Sequence, residues 1–178
     1  MKDEQTLVEG CRNKDRIAQR TLYQRFAGKM FVVCQRYART TFEAEDILQD
    51  AFVKVFTQIH TFRNDNSLEA WVKRIVVNTA ISHIRKEKDY LQQADAEDYA
   101  DVVLDNEDLL SGLHHEQLLD MIRQLPMGCR SVFNMYAIEG YQHNEIAELL
   151  GISEGTSKSQ YARAKKLLQM KILIHEKR

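Results

Sequence analysis

Proline occurs once in this sequence, at position 126, and glycine seven times in 178 residues. Turn chemistry that sparse does not suit a multi-stranded β fold, so helices are the expected elements. The three cysteines, Cys11, Cys34 and Cys129, lie far apart and form no CxxC pair. That argues against a disulfide framework or a zinc site and leaves core thiols of a reducing cytosol. There is no HExxH, no Glu precedes a His by three residues, and His114-His115 beside an acidic stretch reads as a solvated pair rather than as ligands. GxSxG and phosphate-cradling glycine loops are missing as well, so catalysis has no foothold, and neither enzyme activity nor a metal or cofactor is expected. No run approaches the roughly 18 apolar residues that span a bilayer, and no basic-then-apolar segment opens the chain. The expectation is a soluble, cytoplasmic protein with no direct membrane insertion.

The formal net charge is only −1, but it is the sum of three unlike blocks. Residues 1–88 hold 16 Lys/Arg against 11 Asp/Glu, residues 89–120 hold none against 10, and residues 121–178 hold 9 against 5. Two basic blocks flanking an acidic connector suggest two polyanion-binding modules on a tether. The alternative is surface charge segregated without purpose.

Apolar periodicity predicts helices over about 4–11, 15–26, 28–39, 43–59 and 68–88 in the first block. Thr40 and Glu43 have capping-box spacing at the fourth, and Asn66 or Ser67 caps the fifth with Glu69 in its first turn. Residues 89–112 carry scattered Leu and Val without a sustained stripe, as in a flexible linker with a short helical end at 106–110. Leu118, Leu119, Ile122 and Leu125 then open a second block, followed by helices over about 130–139, 142–150 and 154–174.

The run His143 to Ser153 has the logic of a helix-turn-helix: Ala147 allows close approach, Gly151 permits a left-handed turn, and Ile146, Leu150 and Ile152 fill the angle. On the last helix Tyr161, Ala164 and Leu168 share a face with Ser157, while Ser159, Arg163 and Lys166 lie opposite, flanked by Lys158 and Lys165. A hydroxyl and several cations on the outer side suit a major groove, cations for phosphates and Arg or Ser for base edges. A basic surface helix, or a helix pair that binds protein, would read the same way.

Two helices of the first block have unusual outer faces. Opposite the apolar stripe Ile47, Leu48, Ala51, Phe52, Val55 and Ile59 lie Asp46, Gln49, Asp50, Val53 and Thr57. Acid and amide groups around an exposed Val suit a basic protein helix, although a merely solvated face is the common case. On the next helix Trp71, Val72, Ile75 and Val76 face inward, and Arg74, Asn78, Ser82 and Arg85 form a polar stripe able to hold phosphates and base edges. In the preceding polar loop, Phe62 offers either a stacking surface for an unstacked base or a core contact.

These residues carry a resemblance. Ala44-Glu45-Asp46-Ile47-Leu48-Gln49-Asp50-Ala51-Phe52, Trp71-Val72-Lys73-Arg74-Ile75 with Asn78, and His83-Ile84-Arg85 resemble region 2 of sigma factors. Leu125-Pro126, Glu139-Gly140-Tyr141, Glu145-Ile146-Ala147 and Gly151-Ile152-Ser153-Glu154-Gly155-Thr156 resemble region 4, in the same order. The match spans roughly residues 15–88 and 115–172, with no room for regions 1.1 and 3. The chain therefore resembles the minimal, extracytoplasmic-function (ECF) group of the sigma-70 family.

The resemblance implies an all-α protein of two small helical domains, region 2 over 1–88 and region 4 over 114–178, joined by an acidic linker at 89–113. It implies binding to core RNA polymerase at the β′ clamp and β flap, promoter recognition, and control by an anti-sigma factor that is often membrane-anchored. Asp46, Gln49, Asp50 and Val53 would meet the β′ coiled coil. Phe62, Asn64, Arg74, Asn78, Ser82 and Arg85 would engage the −10 element. Thr156, Lys158, Ser159, Arg163 and Lys166 would engage the −35 element, and the linker would thread toward the RNA exit path. A freestanding helix-turn-helix regulator is the alternative. The sequence departs from the family at Val77, where Arg is common, and at Ser82, where Asp is common. Ser157 and Gln160 replace a common Val and Arg, and Gln142 stands where Ser or Thr usually caps, a change expected to weaken that helix start by ~1 kcal/mol.

Overall fold

The computed structural model of the protein describes residues 2–63, 67–86 and 115–176, and every regular element among them is helical. The elements are α1 (Lys2–Arg12), α2 (Arg16–Tyr37), α3 (Thr41–Gln58) with a 3-10 turn at Ile59–Thr61, α4 (Leu68–Lys86), α5 (His115–Arg123), α6 (Met127–Phe133) continued by a π-helical turn at Asn134–Ile138, α7 (His143–Leu150) and α8 (Glu154–Glu176). The chain divides into two compact units, Met1–His83 and Ile84–Arg178. The linker and the helical end expected at 106–110, with Asn64 and His114, lie outside the described residues.

In the first unit α2 packs along α3 and α1. Asp15 caps α2 by accepting the Ile17 and Ala18 N–H groups at 2.7 and 3.0 Å. Two helices were expected here with a break near Gly28, yet α2 runs unbroken through that residue. Its buried stripe of Leu22, Phe26, Met30, Val33 and Tyr37 continues across the glycine. Burial of that stripe outweighs the roughly 1 kcal/mol a helical glycine costs. Thr40 caps α3 as the spacing predicted, its hydroxyl accepting from Glu43 N–H at 3.1 Å. Glu43 reaches back one residue further than a standard capping box, to Arg39 N–H at 2.6 Å.

Helix α4 is capped from two directions. Ser67 Oγ accepts from Ala70 N–H at 3.4 Å, and Glu4 Oε1, from α1, accepts from Leu68 N–H at 3.2 Å. Sequence spacing pointed to Ser67 but not to a carboxylate 64 positions away. Lys29 pairs with Glu69 at 2.9 Å, and Lys54 donates to the buried Thr79 hydroxyl at 3.1 Å, tying α4 to α2 and α3.

In the second unit α5, α6 and α7 all pack on α8. Met121, Ile122, Leu125, Cys129, Ala164, Leu168 and Ile172 form its core, with Leu118, Phe133, Ile138 and Leu167 at the margin. The uninterrupted helix expected over 130–139 is α-helical only as far as Phe133. Beyond it the backbone widens, Glu139 N–H bonding Asn134 O at 3.0 Å and Tyr141 N–H bonding Met135 O at 2.9 Å. Gly151 closes α7 with φ +70°, the left-handed turn its lack of Cβ permits. The missing Ser/Thr cap on α7 is offset by Glu145, whose Oε2 accepts from Gln142 N–H at 2.7 Å.

Candidate nucleic-acid and protein-docking faces

Helices α7 and α8 meet through the turn at Gly151, where Gly151 and Ile152 N–H groups both bond Ala147 O, at 2.9 and 3.0 Å. Ser153 Oγ then caps α8 by accepting Thr156 N–H at 2.9 Å. Residues that sequence periodicity placed on the outer face of α8 divide in two. Lys158, Ser159 and Lys166 are exposed. Lys158 pairs with Glu154 at 2.7 Å. Ser159 donates to Thr156 O at 3.0 Å, so its oxygen remains able to accept.

Thr156 and Arg163 are half-buried instead. The Thr156 hydroxyl lies 2.8 Å from Ser153 Oγ and so takes part in the cap. Arg163 leans toward α6, where burial pushes the Cys129 thiol up to about 11 and the guanidinium of Arg163 opposes that shift. Arg163 therefore flanks the exposed stripe rather than sitting on it with Ser159 and Lys166, a correction to the helical-wheel placement.

Beside the start of α8 lies a shallow open cavity of about 510 Å³, lined by Tyr136, Gln142, His143, Asn144, Glu154 and Lys158 among others. The His143 ring stacks on Tyr136, with centroids 4.3 Å apart and planes at 13°, and meets Tyr161 edge-on at 5.9 Å. Its Nδ1 shares a hydrogen bond of 2.9 Å with Ser157 Oγ. Burial holds the His143 pKa below its ordinary value; Lys158 adds to that effect and Glu154 opposes it.

In the first unit Asp46, Gln49, Asp50 and Val53 are exposed together on α3, with Val53 at 62% exposure among polar neighbours. The opposite stripe, Ile47, Leu48, Ala51, Phe52 and Val55, is buried. On α4 the stripe Arg74, Asn78, Ser82 and Arg85 is exposed throughout. Ser82 Oγ donates to Asn78 O at 2.8 Å, leaving its oxygen free to accept one further bond. Phe62 is buried at 3% exposure and packs on Trp71 with centroids 5.5 Å apart. It fills the core and presents no stacking surface, so the core alternative is the one realised. Arg12 fixes that loop by donating to Phe62 O at 2.7 Å.

Residues 22–90 match the family described as Sigma-70 region 2, and residues 115–168 match the one described as Sigma-70, region 4. The ECF RNA polymerase sigma factor SigW of Bacillus subtilis is 30% identical over 158 residues, covering 83% of this chain and 84% of that one. The chain belongs to the ECF group of the sigma-70 family. As an ECF sigma factor it directs promoter-specific transcription initiation. The ECF RNA polymerase sigma-E factor of Haemophilus influenzae is 28% identical over 180 residues, covering 95% of both chains. Among solved structures, the sigma factor RpoE, co-crystallised with the anti-sigma factor NepR from Bartonella quintana, matches with a TM-score of 0.50 at 21% identity. That match covers 86% of this chain and 95% of that one, and the likeness is one of fold.

Several contacts of this sigma factor escape sequence reading. His83 Nε2 on α4 lies 2.9 Å from Asp50 Oδ2 on α3, joining the two outer faces of the first unit across 33 positions. His143 and Ser157 are 14 apart and on different helices. Only the Glu154–Lys158 pair had a legible signal, its i,i+4 spacing on one helix. Val77, where the family often has Arg, is buried at 2% exposure, a site where a charge would need a partner.

Proposed function

We propose that this sigma factor divides its work among three faces. Asp46, Gln49, Asp50 and Val53 dock on the coiled coil of the β′ clamp, with acid and amide groups around an apolar centre suited to a basic helix. Arg74, Asn78, Ser82 and Arg85, with Asn64, hold the −10 element. Lys158, Ser159 and Lys166 enter the major groove of the −35 element, with Thr156 and Arg163 at the edge of that contact. The domain division is region 2 over 1–88, an acidic linker over 89–113 directed to the RNA exit path, and region 4 over 114–178 against the β flap.

The protein catalyses no reaction of its own and acts in the cytoplasm, where core polymerase supplies the chemistry. An anti-sigma factor covers the region 2 and region 4 faces when the factor is off; the Bartonella quintana RpoE structure contains such a partner. The observation that carries the reading is the pairing, on one chain, of an exposed acidic α3 face with two polar or cationic helical stripes on α4 and α8. A freestanding helix-turn-helix regulator would need only the last of these.

The test is reconstitution: the purified chain is added to sigma-free core polymerase and a genomic promoter library. Initiation at a defined promoter class is the expected result. Absence of specific initiation, with core binding also absent, overturns the reading.

A further inference from the structure

Helix α8 meets its neighbours through two buried polar contacts where an apolar seam would pack as well. Ser157 is wholly buried, and its hydroxyl bonds His143 Nδ1 on α7 at 2.9 Å. Gln160, at 3% exposure, accepts from Cys129 Sγ on α6 at 2.9 Å. At Gly128 α6 runs so close that a Cβ there would sit 3.0 Å from the Gln160 amide. Three residues apart on α8, the two groups point to adjacent sides, one to α7 and one to α6.

Apolar contacts fix the distance between helices but are non-directional, so they resist rotation about the helix axis only weakly. A hydrogen bond weakens steeply when its donor leaves the line, and a buried group that loses its partner is penalised in full. His143 cannot follow a rotating Ser157, because its ring is held flat on Tyr136 at 4.3 Å and edge-on to Tyr161. Burial keeps that ring neutral, with one donor and one acceptor nitrogen. The direction of Ser159 and Lys166 on the exposed side of α8 is then set by the direction of Ser157 and Gln160 on the buried side.

We propose that the His143–Ser157 bond, with Cys129–Gln160 as a second fixed point, sets the rotational phase of α8 and so determines base preference at the −35 element. His143 and Ser157 are positioning residues for recognition. The inference rests on the −35 reading of α8.

The test uses the full chain assembled with sigma-free core polymerase and a duplex library randomised upstream of the start site. Val and Thr have nearly the same shape and differ in the hydroxyl, so Ser157→Val and Ser157→Thr separate the bond from its packing. His143→Phe keeps the ring stack and removes Nδ1, and serves where either Ser157 variant fails to fold. Ser157→Val and His143→Phe should each flatten the ratio of the best −35 segment to its single-base variants by about tenfold. Affinity for random-sequence duplex should stay within about twofold, because phosphate contacts supply it. Ser157→Thr should restore the preference, and the double variant should be no flatter than either single. Full base preference retained in Ser157→Val and His143→Phe overturns the positioning role while leaving the −35 reading intact. No base preference upstream even in the unmodified chain overturns both.

Discussion

Helices α3 and α8 are each buried along one side, but their seams differ in kind. The inner stripe of α3 is apolar from end to end, Ala44, Ile47, Leu48, Ala51, Phe52 and Val55. The inner side of α8 opens with Ser157 and Gln160, both hydrogen-bonded, and turns apolar only at Ala164, Leu168 and Ile172. Their outer faces differ in step. A face that docks a protein helix through a patch of acids around Val53 tolerates a few degrees of roll. A face that must bring hydroxyl and cation to particular base edges does not. Directional bonds belong where orientation carries information, and burial alone suffices where it does not.

Several outcomes would break or sharpen that contrast. The largest effect is expected from Asp46→Lys combined with Asp50→Lys, which reverses the charge of the α3 face. Affinity for core polymerase should fall at least about 100-fold, the scale of lost close charge pairs. Circular dichroism melting should hardly move, since both side chains are exposed. Unchanged core affinity would show that this face docks nothing.

Next in size is the comparison of the seams themselves. Ile47→Ala, at a fully buried position, should cost about 2–5 kcal/mol in urea unfolding. Gln160→Leu conserves volume and should cost about 1.5 kcal/mol or less, because the S–H of Cys129 is a weak donor. The reverse order would mean that the polar seam of α8 supports stability and not direction.

Lys158→Ala should weaken binding about equally for all sequences and lower the slope of log K against log salt by about 1, as for one phosphate contact. A loss confined to particular −35 bases would reassign Lys158 to base reading.

The smallest effect concerns pH. The pKa of His143 lies below its ordinary value of 6.5 in the folded protein, so the unfolded chain takes up the proton first. Its contribution to stability is therefore complete above 6.5 and erodes as pH falls from there toward the lower native value. His143→Phe should remove that slope from a pH series of melting curves, and a slope unaltered by the substitution would place its origin elsewhere.

Legibility in the sequence followed the range of the interactions. The buried stripe of α3, the Thr40 cap and the left-handed Gly151 turn are set by residues within one or two helical turns, and spacing predicts them. Continuity of α2 through Gly28 was not legible, because the local penalty for glycine is visible in sequence while the long stripe that overrides it acts through packing on α3. Phe62 was ambiguous for the same reason, since nothing near it in sequence names Trp71 as its partner. On α8, periodicity gave the correct inner face. It could not say that Arg163 leans to α6, because a long side chain near the boundary of a face chooses its side by what it meets. His83–Asp50 and His143–Ser157 join residues on separate helices, and their existence depends on packing angles that no pattern of residue types records.

The account is tested most directly by scanning single-base transversions across a promoter used by the reconstituted polymerase, with three forms of the full chain. The unmodified protein should show two separate clusters of sensitive bases. Arg74→Ala with Asn78→Ala should flatten the downstream cluster and spare the upstream one, and Ser159→Ala with Lys166→Ala should do the opposite. A single cluster, or two clusters flattened together by either pair, would contradict the division of promoter reading between α4 and α8.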